Sequence, residues 1–213
     1  PAGLARVGGL LRGQAAWRGT LAVVDGRQEL ALQSNLVGME IDLPAPLGKP
    51  VAGNPLPMRL QLSPLDDPAA PGGRARDSLQ FELGELLKAQ FQRDLSGPEP
   101  QVLRGSVAVL ERLPPLPASG VLAALRLGRV DVDAWQALAE RSGAGIEPAA
   151  GGYLPQVIQL SADELRSGGR VLSAVRGTLR SQGAGAEAGW KASLQAEQLA
   201  GDIDYRSEEH TSE

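Results

Sequence analysis

Cysteine is absent from the chain, which removes disulfides, thiolate nucleophiles and cysteine-ligated metals together. The redox compartment stays open, because an oxidising periplasm permits disulfides without requiring them. Histidine occurs once, at His210, and aromatic residues make up only 3% of the chain. Excess positive charge is missing too. The formal net charge is -4 with a pI near 5.2, and no basic stripe gathers along the sequence. Nucleic acid, whose phosphates demand concentrated Lys and Arg, is therefore not an expected partner. A polybasic membrane-surface patch is excluded on the same ground. No apolar run approaches the ~18 residues that span a bilayer, and no basic, apolar, small-residue signal segment opens the chain. The first residue is Pro1 and the only methionines are Met39 and Met58. The chain is thus read as a fragment of something longer, with any membrane anchor or export signal expected outside it.

The last residues leave the pattern of the rest. Arg206 to Glu213, reading Arg-Ser-Glu-Glu-His-Thr-Ser-Glu, resembles the in-frame translation of a sequencing adapter. Residues 207–213 are read as a non-native tail and residues 1–206 as the folded segment; a native terminus without regular structure is the alternative. Setting the tail aside removes the one histidine, and with it every histidine-based mechanism.

What is present is a period of two. Trp190, Ala192 and Leu194 alternate with Lys191, Ser193 and Gln195, and Ile203 and Tyr205 with Asp202 and Asp204. Val37, Met39, Ile41 and Leu43 alternate with Gly38, Glu40 and Asp42. Met58, Leu60 and Leu62 repeat the pattern, as do Leu79, Phe81 and Leu83, then Val107 and Val109, then Val175 and Leu179. Such alternation marks antiparallel strands with one apolar and one solvated face. Asp25-Gly26 separates a strand with Leu21 and Val23 from one with Leu30 and Leu32, a hairpin signal. Gly168-Gly169 marks a second hairpin, while Pro64 to Gly73 and Gly143 to Gly152 read as loops. The spacing predicts roughly a dozen strands and an all-β fold. One short helix is expected near 133–141. Asp133 would cap it with Gln136 as capping-box partner, Trp135, Leu138 and Ala139 share a face, and Ser142-Gly143 ends it. A single helix cannot cover so large a sheet.

A weak repeat runs through these strands. Trp17 to Leu21, Leu103 to Val107 and Val175 to Leu179 each read apolar, Arg, Gly, hydroxyl, apolar. The spacing is too uneven for a solenoid and suggests hairpins added in series. Their arginines either bind lipid headgroups or sit on the solvated face, with the glycines at bulges. Little here carries chemistry. Asp131 ending a strand and Asp133 capping a helix account for that acidic pair, and Asp66-Asp67 lies in a loop. Gly183-Ala184-Gly185 lacks dinucleotide-binding spacing and reads as a hairpin loop. No catalytic residue, metal site or cofactor is assigned, and the chain is not expected to be an enzyme.

The segment Ser34 to Lys49, reading S-N-L-V-G-M-E-I-D-L-P-A-P-L-G-K, closely resembles the S-x-L-x-G…L-P-x-P-L-x-K stretch of the AsmA-like/YhdP family. Trp17 upstream, Val130-Asp131-Val132-Asp133-Ala134-Trp135, and the closing stretch from Gly189-Trp190-Lys191 to Leu199-Ala200-Gly201 are similar to the family as well. The resemblance runs over nearly all of residues 1–206. It implies a long curved antiparallel sheet forming an open U-shaped groove. It also implies the periplasmic portion of a protein anchored in the inner membrane of a Gram-negative bacterium, moving phospholipid towards the outer membrane.

On that reading Leu21, Val23, Leu30, Leu32, Met39, Ile41, Leu43, Met58, Leu60, Leu62, Leu79, Phe81, Leu83, Val107, Val109, Val175, Leu179, Trp190, Leu194 and Ile203 are lipid-groove candidates, and phospholipid acyl chains are the expected partners. The mostly aliphatic faces suit flexible chains, since burying ten methylenes contributes on the order of 8 kcal/mol. A dozen strands would extend about 58 Å. The competing fold is a closed sandwich in which every apolar face packs on another. A membrane barrel lacks the aromatic girdles it would need. The competing function is a structural or interaction module that recruits envelope proteins, with no lipid in the sheet.

Overall fold

The computed structural model describes residues 10–24, 27–49, 51–65, 75–141, 151–182, 189–198 and 200–206. Among the described residues thirteen strands and one helix follow in order: β1 (Leu11–Gly13), β2 (Trp17–Val24), β3 (Arg27–Ser34), β4 (Met39–Ile41), β5 (Met58–Leu65), β6 (Arg76–Leu83), β7 (Leu87–Asp94), β8 (Gln101–Val109), β9 (Gly120–Asp131), α1 (Val132–Arg141), β10 (Val157–Ser167), β11 (Arg170–Gln182), β12 (Gly189–Gln195) and β13 (Ala200–Arg206). Eleven strands form one sheet in the order β13, β12, β11, β10, β9, β8, β7, β6, β5, β3, β2; β1 and β4 pair separately as a two-stranded ribbon. Since β2 and β13 lie at opposite ends of that order, the sheet is open and, among the described residues, not closed into a barrel.

It is also a single layer. Extensive contacts join only hydrogen-bonded neighbours, apart from α1 against β10. Among the described residues eleven apolar side chains are buried, and five of these are alanines. A closed sandwich of this size would bury far more and larger side chains, so the competing sandwich fold is ruled out.

The sheet is mixed, which corrects the all-antiparallel expectation. β9 pairs parallel with β8 on one side and with β10 on the other. The sequence carried a mark of this. Val121-Leu122-Ala123-Ala124-Leu125 does not alternate, and continuous apolar runs of this kind are what parallel strands show. The β8-to-β9 connection has no helix. It uses the proline-rich stretch 110–119, whose extended backbone spans about 3.1 Å per residue. That is ample, because Gly120 pairs with Arg104 only part-way back along β8.

Other boundaries differ in detail. α1 begins at Val132, and its cap is Asp131, whose Oδ1 accepts the Ala134 N–H at 3.0 Å. The capping role given to Asp133 is therefore wrong: its carboxylate instead receives the Gly168 N–H at 2.9 and 3.1 Å, tying the helix to the β10–β11 turn. That turn has φ of 55° and 74° at Gly168 and Gly169, the pair of positive values a two-residue hairpin needs. Pro64 and Leu65 belong to β5 and not to a loop. Asp25-Gly26, Asp66-Asp67, Ser142-Gly143, Gly183 to Gly185 and His210 lie outside the described residues.

Candidate functional site

Register decides which side chains share a face, because directly paired residues project to the same side and residues two apart along a strand do likewise. One row starts at Gly19 and continues through Leu32, Leu60, Phe81, Ala89, Val107, Ala123, Ile158, Leu179 and Ala192 to the register position of Ile203. It crosses all eleven strands without a polar residue. A second row runs Trp17, Ser34, Met58, Leu83, Leu87, Val109, Leu125, Leu160, Gly177, Leu194 and Gly201. Its one polar member, Ser34, donates its hydroxyl hydrogen to the Ala16 carbonyl at 2.8 Å. A third row holds Leu21, Leu30, Leu62, Leu79, Phe91, Gly105 and Val121. Rows lie about 7 Å apart, and ten strand-to-strand steps give each full row about 48 Å of length.

The opposite face is polar. The row behind reads Arg18, Gln33, Arg59, Glu82, Lys88, Ala108, Ala124, Gln159, Thr178 and Ser193. Its two alanines, 1% and 9% exposed, flank Ser106, which is fully buried and whose Oγ donates to the Pro115 carbonyl at 3.1 Å. The proline-rich connection thus lies over this outer face, and the apolar face is left as a trough.

The Arg-Gly-hydroxyl repeat now has a physical account. Gly19, Gly105 and Gly177 all stand on the apolar face, while Arg18, Arg104 and Arg176 stand on the polar one. Each glycine makes room for a large neighbour from the paired strand: a Cβ there would meet Leu32 at 3.2 Å, Phe91 at 2.3 Å and Leu194 at 2.3 Å respectively. The glycines are not at bulges, as the alternative reading had it. The one register shift in this region falls between Gln92 and Arg93.

A buried ion pair stands on the apolar face beside the third row. Asp77 and Arg93 pair across β6 and β7, next in line to Leu79 and Phe91. The guanidinium grips the carboxylate twice, Nε to Oδ1 at 2.8 Å and Nη2 to Oδ2 at 2.5 Å, with both side chains about nine-tenths buried. Nη1 donates to the Tyr153 hydroxyl at 3.0 Å. The Asp77 hydrogen bonds raise the Arg93 pKa above its ordinary value against desolvation by burial, and Tyr153 adds to the rise. The Tyr153 ring meets Phe91 edge-on at 5.2 Å, so the stretch 151–156 leading into β10 leans over the trough here.

One rim carries the two most distinctive sequence segments. The stretch Ser34 to Lys49 folds into a compact insert between β3 and β5. At its centre Lys49, 5% exposed, donates from Nζ to the carbonyls of Met39, Val51 and Ala52, the last two at 2.9 and 3.2 Å. Trp135 Nε1 of α1 donates to the Ala45 carbonyl at 3.3 Å. The proline-flanked segment and the Asp-x-Asp-x-Trp segment, ninety residues apart in sequence, therefore touch. A sequence model of a protein family, described as YhdP protein, matches residues 6–213.

The chain belongs to the YhdP family.

No curated protein matches it, and no solved structure does. The insert and the capped helix that resembled YhdP-family sequence are thus structural devices of the rim. Among the described residues no helix is long and apolar enough to cross a membrane, and no group of three or more His, Cys, Asp or Glu stands together to hold a metal.

Of the twenty groove positions expected from the sequence, register brings seventeen onto the apolar face, Ile203 by backbone position alone. Val23 belongs with Leu21 on β2, Val175 with Leu179 on β11, and Trp190 with Ala192 on β12. Met39, Ile41 and Leu43 do not join them: the first two form β4, paired with β1 away from the main sheet, and Leu43 lies in the insert. Sequence reasoning missed Leu87, Ala89 and Phe91, although their alternation with Lys88, Gln90 and Gln92 was there to read. It also missed Val121, Ala123 and Leu125, where apolar residues on both faces hide the period, and Ile158 and Leu160, which alternate with Gln159 and Ser161.

Proposed function

We propose that this chain is a lipid-conducting section of a YhdP-family envelope protein, holding phospholipid acyl chains along its apolar trough. The carrying observation is the unbroken apolar row across all eleven strands of a single-layer sheet. Each strand offers the same kind of contact, so a chain sliding along the row exchanges one aliphatic neighbour for another at about 0.8 kcal/mol per methylene throughout. A uniform surface favours movement, whereas a deep pocket with polar anchors favours retention. The protein would act without catalysis, in the periplasm between an anchored inner-membrane end and the outer membrane.

Photocrosslinking side chains at Leu32, Leu60 and Leu194, with Ile41 and Gln80, on the polar face of β6, as positions off the trough, test the reading by mass spectrometry of adducts. Phospholipid adducts confined to the first three are expected. Adducts to protein alone would make the chain an interaction module, and equal lipid labelling at Gln80 would mean no directed trough.

A further inference from the structure

The polar face holds a concavity that the trough does not explain. Where the proline-rich connection 110–119 arches over β9 to β12, a space of about 590 Å³ opens, with Arg112, Gln159, Ser161, Arg176, Thr178 and Ser193 among its lining. The roof is preorganised. Leu113-Pro114-Pro115-Leu116-Pro117 is stiff, and the Ser106 Oγ to Pro115 carbonyl hydrogen bond fastens it to the buried side of β8. The lining is donor-rich: the roof supplies the Arg112 guanidinium, and the floor that of Arg176 with three hydroxyls and the Gln159 and Gln195 amides. Arg126 adds a third guanidinium next door, sharing an adjoining hollow with Arg112. Arg126 and Arg176 are each paired with Ser161, so their backbones stand about 10 Å apart across one intervening strand.

None of the three arginines has an ion-pair partner among the described residues. The one carboxylate in the lining, Glu111, accepts the Arg112 backbone N–H at 2.9 Å. In a chain of net charge -4, two guanidiniums here stand beside three hydroxyls in one hollow. Guanidiniums fork onto tetrahedral oxyanions in bidentate fashion.

We infer that this concavity binds an organic phosphate, either a free phosphate ester or the phosphate of a lipid headgroup presented from the outside of the sheet. The site stands independently of the trough reading, since its guanidinium, hydroxyl and amide groups belong to the other face.

Calorimetric titration of the full chain with inorganic phosphate and with glycerol 3-phosphate at low ionic strength tests it. Saturable binding is expected. Arg112→Glu with Arg176→Glu should weaken it by about tenfold or more. Arg18→Glu with Arg59→Glu, an equal change of net charge on the same face outside the concavity, should leave it nearly unchanged. Equal weakening by both pairs, or no saturation in the unaltered chain, overturns the site. Flotation with phosphatidylglycerol vesicles then separates the sources. Recruitment abolished by the Arg112/Arg176 pair identifies a headgroup, and phosphate binding without recruitment identifies a free ester.

Discussion

A methyl group added at Gly105 would lie 2.3 Å from Phe91 Cδ1, and Phe91 is only 7% exposed. The ring cannot swing aside without displacing Ala89, Val121 and Tyr153 around it. Gly105→Ala is expected to lower stability by about 1–3 kcal/mol, as overpacking does. Gly177→Ala should be milder, because the nearest atom is a terminal methyl of Leu194, although the Ser193 carbonyl at 2.9 Å limits the relief. At Gly19 the same change meets only Leu32 at 3.2 Å, and urea midpoints should barely move. One sequence motif thus predicts three different outcomes. The Asp77–Arg93 pair gives a second contrast. Asp77→Ala strands a buried guanidinium and should cost about 3–5 kcal/mol, whereas Asp77→Leu with Arg93→Met should recover most of it. A double variant no more stable than Asp77→Ala alone in urea would refute that account.

Among the elements, the insert between β3 and β5 is held from within. Three carbonyls converge on the Lys49 ammonium, and Lys49→Met would leave them without that donor at about 2–4 kcal/mol. Because the insert pairs with β1 and not with the main sheet, the loss should stay local. Hydrogen exchange should quicken at the Gly38 and Ile41 amides, which bond to Ala52 and Lys49 carbonyls, and stay unchanged across β6 to β8. Uniform acceleration would show that the insert supports the whole sheet. Helix α1 hangs on smaller contacts, and Asp131→Ala should weaken it by about 1 kcal/mol. These elements also show what sequence makes legible. Wherever one face meets water, as along β5, β6 and β12, alternation alone identified the strand and its inward side. Along β9 the connection 110–119 covers the outer face, so Leu122 and Ala124 are apolar too and the period vanishes. The rim contacts were hidden for another reason: backbone carbonyls at Met39, Ala45, Val51 and Ala52 do the accepting, and a carbonyl leaves no mark in a sequence.

Taken as one body, the molecule keeps a large aliphatic surface with no second layer against it. Unfolding exposes less new apolar surface than in a closed globule of equal length, so the urea m-value should fall below the size-based expectation. Phospholipid that settles on the trough would bind the folded sheet alone and should raise the melting temperature with concentration. Leu60→Glu or Leu179→Glu should abolish that rise while sparing the fold, because both side chains are only partly buried; a rise unaffected by either would place the lipid elsewhere. The two parallel connections have opposite effects on this surface. The one at 110–119 passes behind the sheet, but the one returning to β10 brings Tyr153 over Phe91 on the apolar side. Cargo gliding from strand to strand would meet that phenol ring midway, as a boat meets a low bridge. Throughput would then be set at this crossing, and trimming Tyr153 to Ala should quicken passage even as it loosens the Arg93 anchorage beside it.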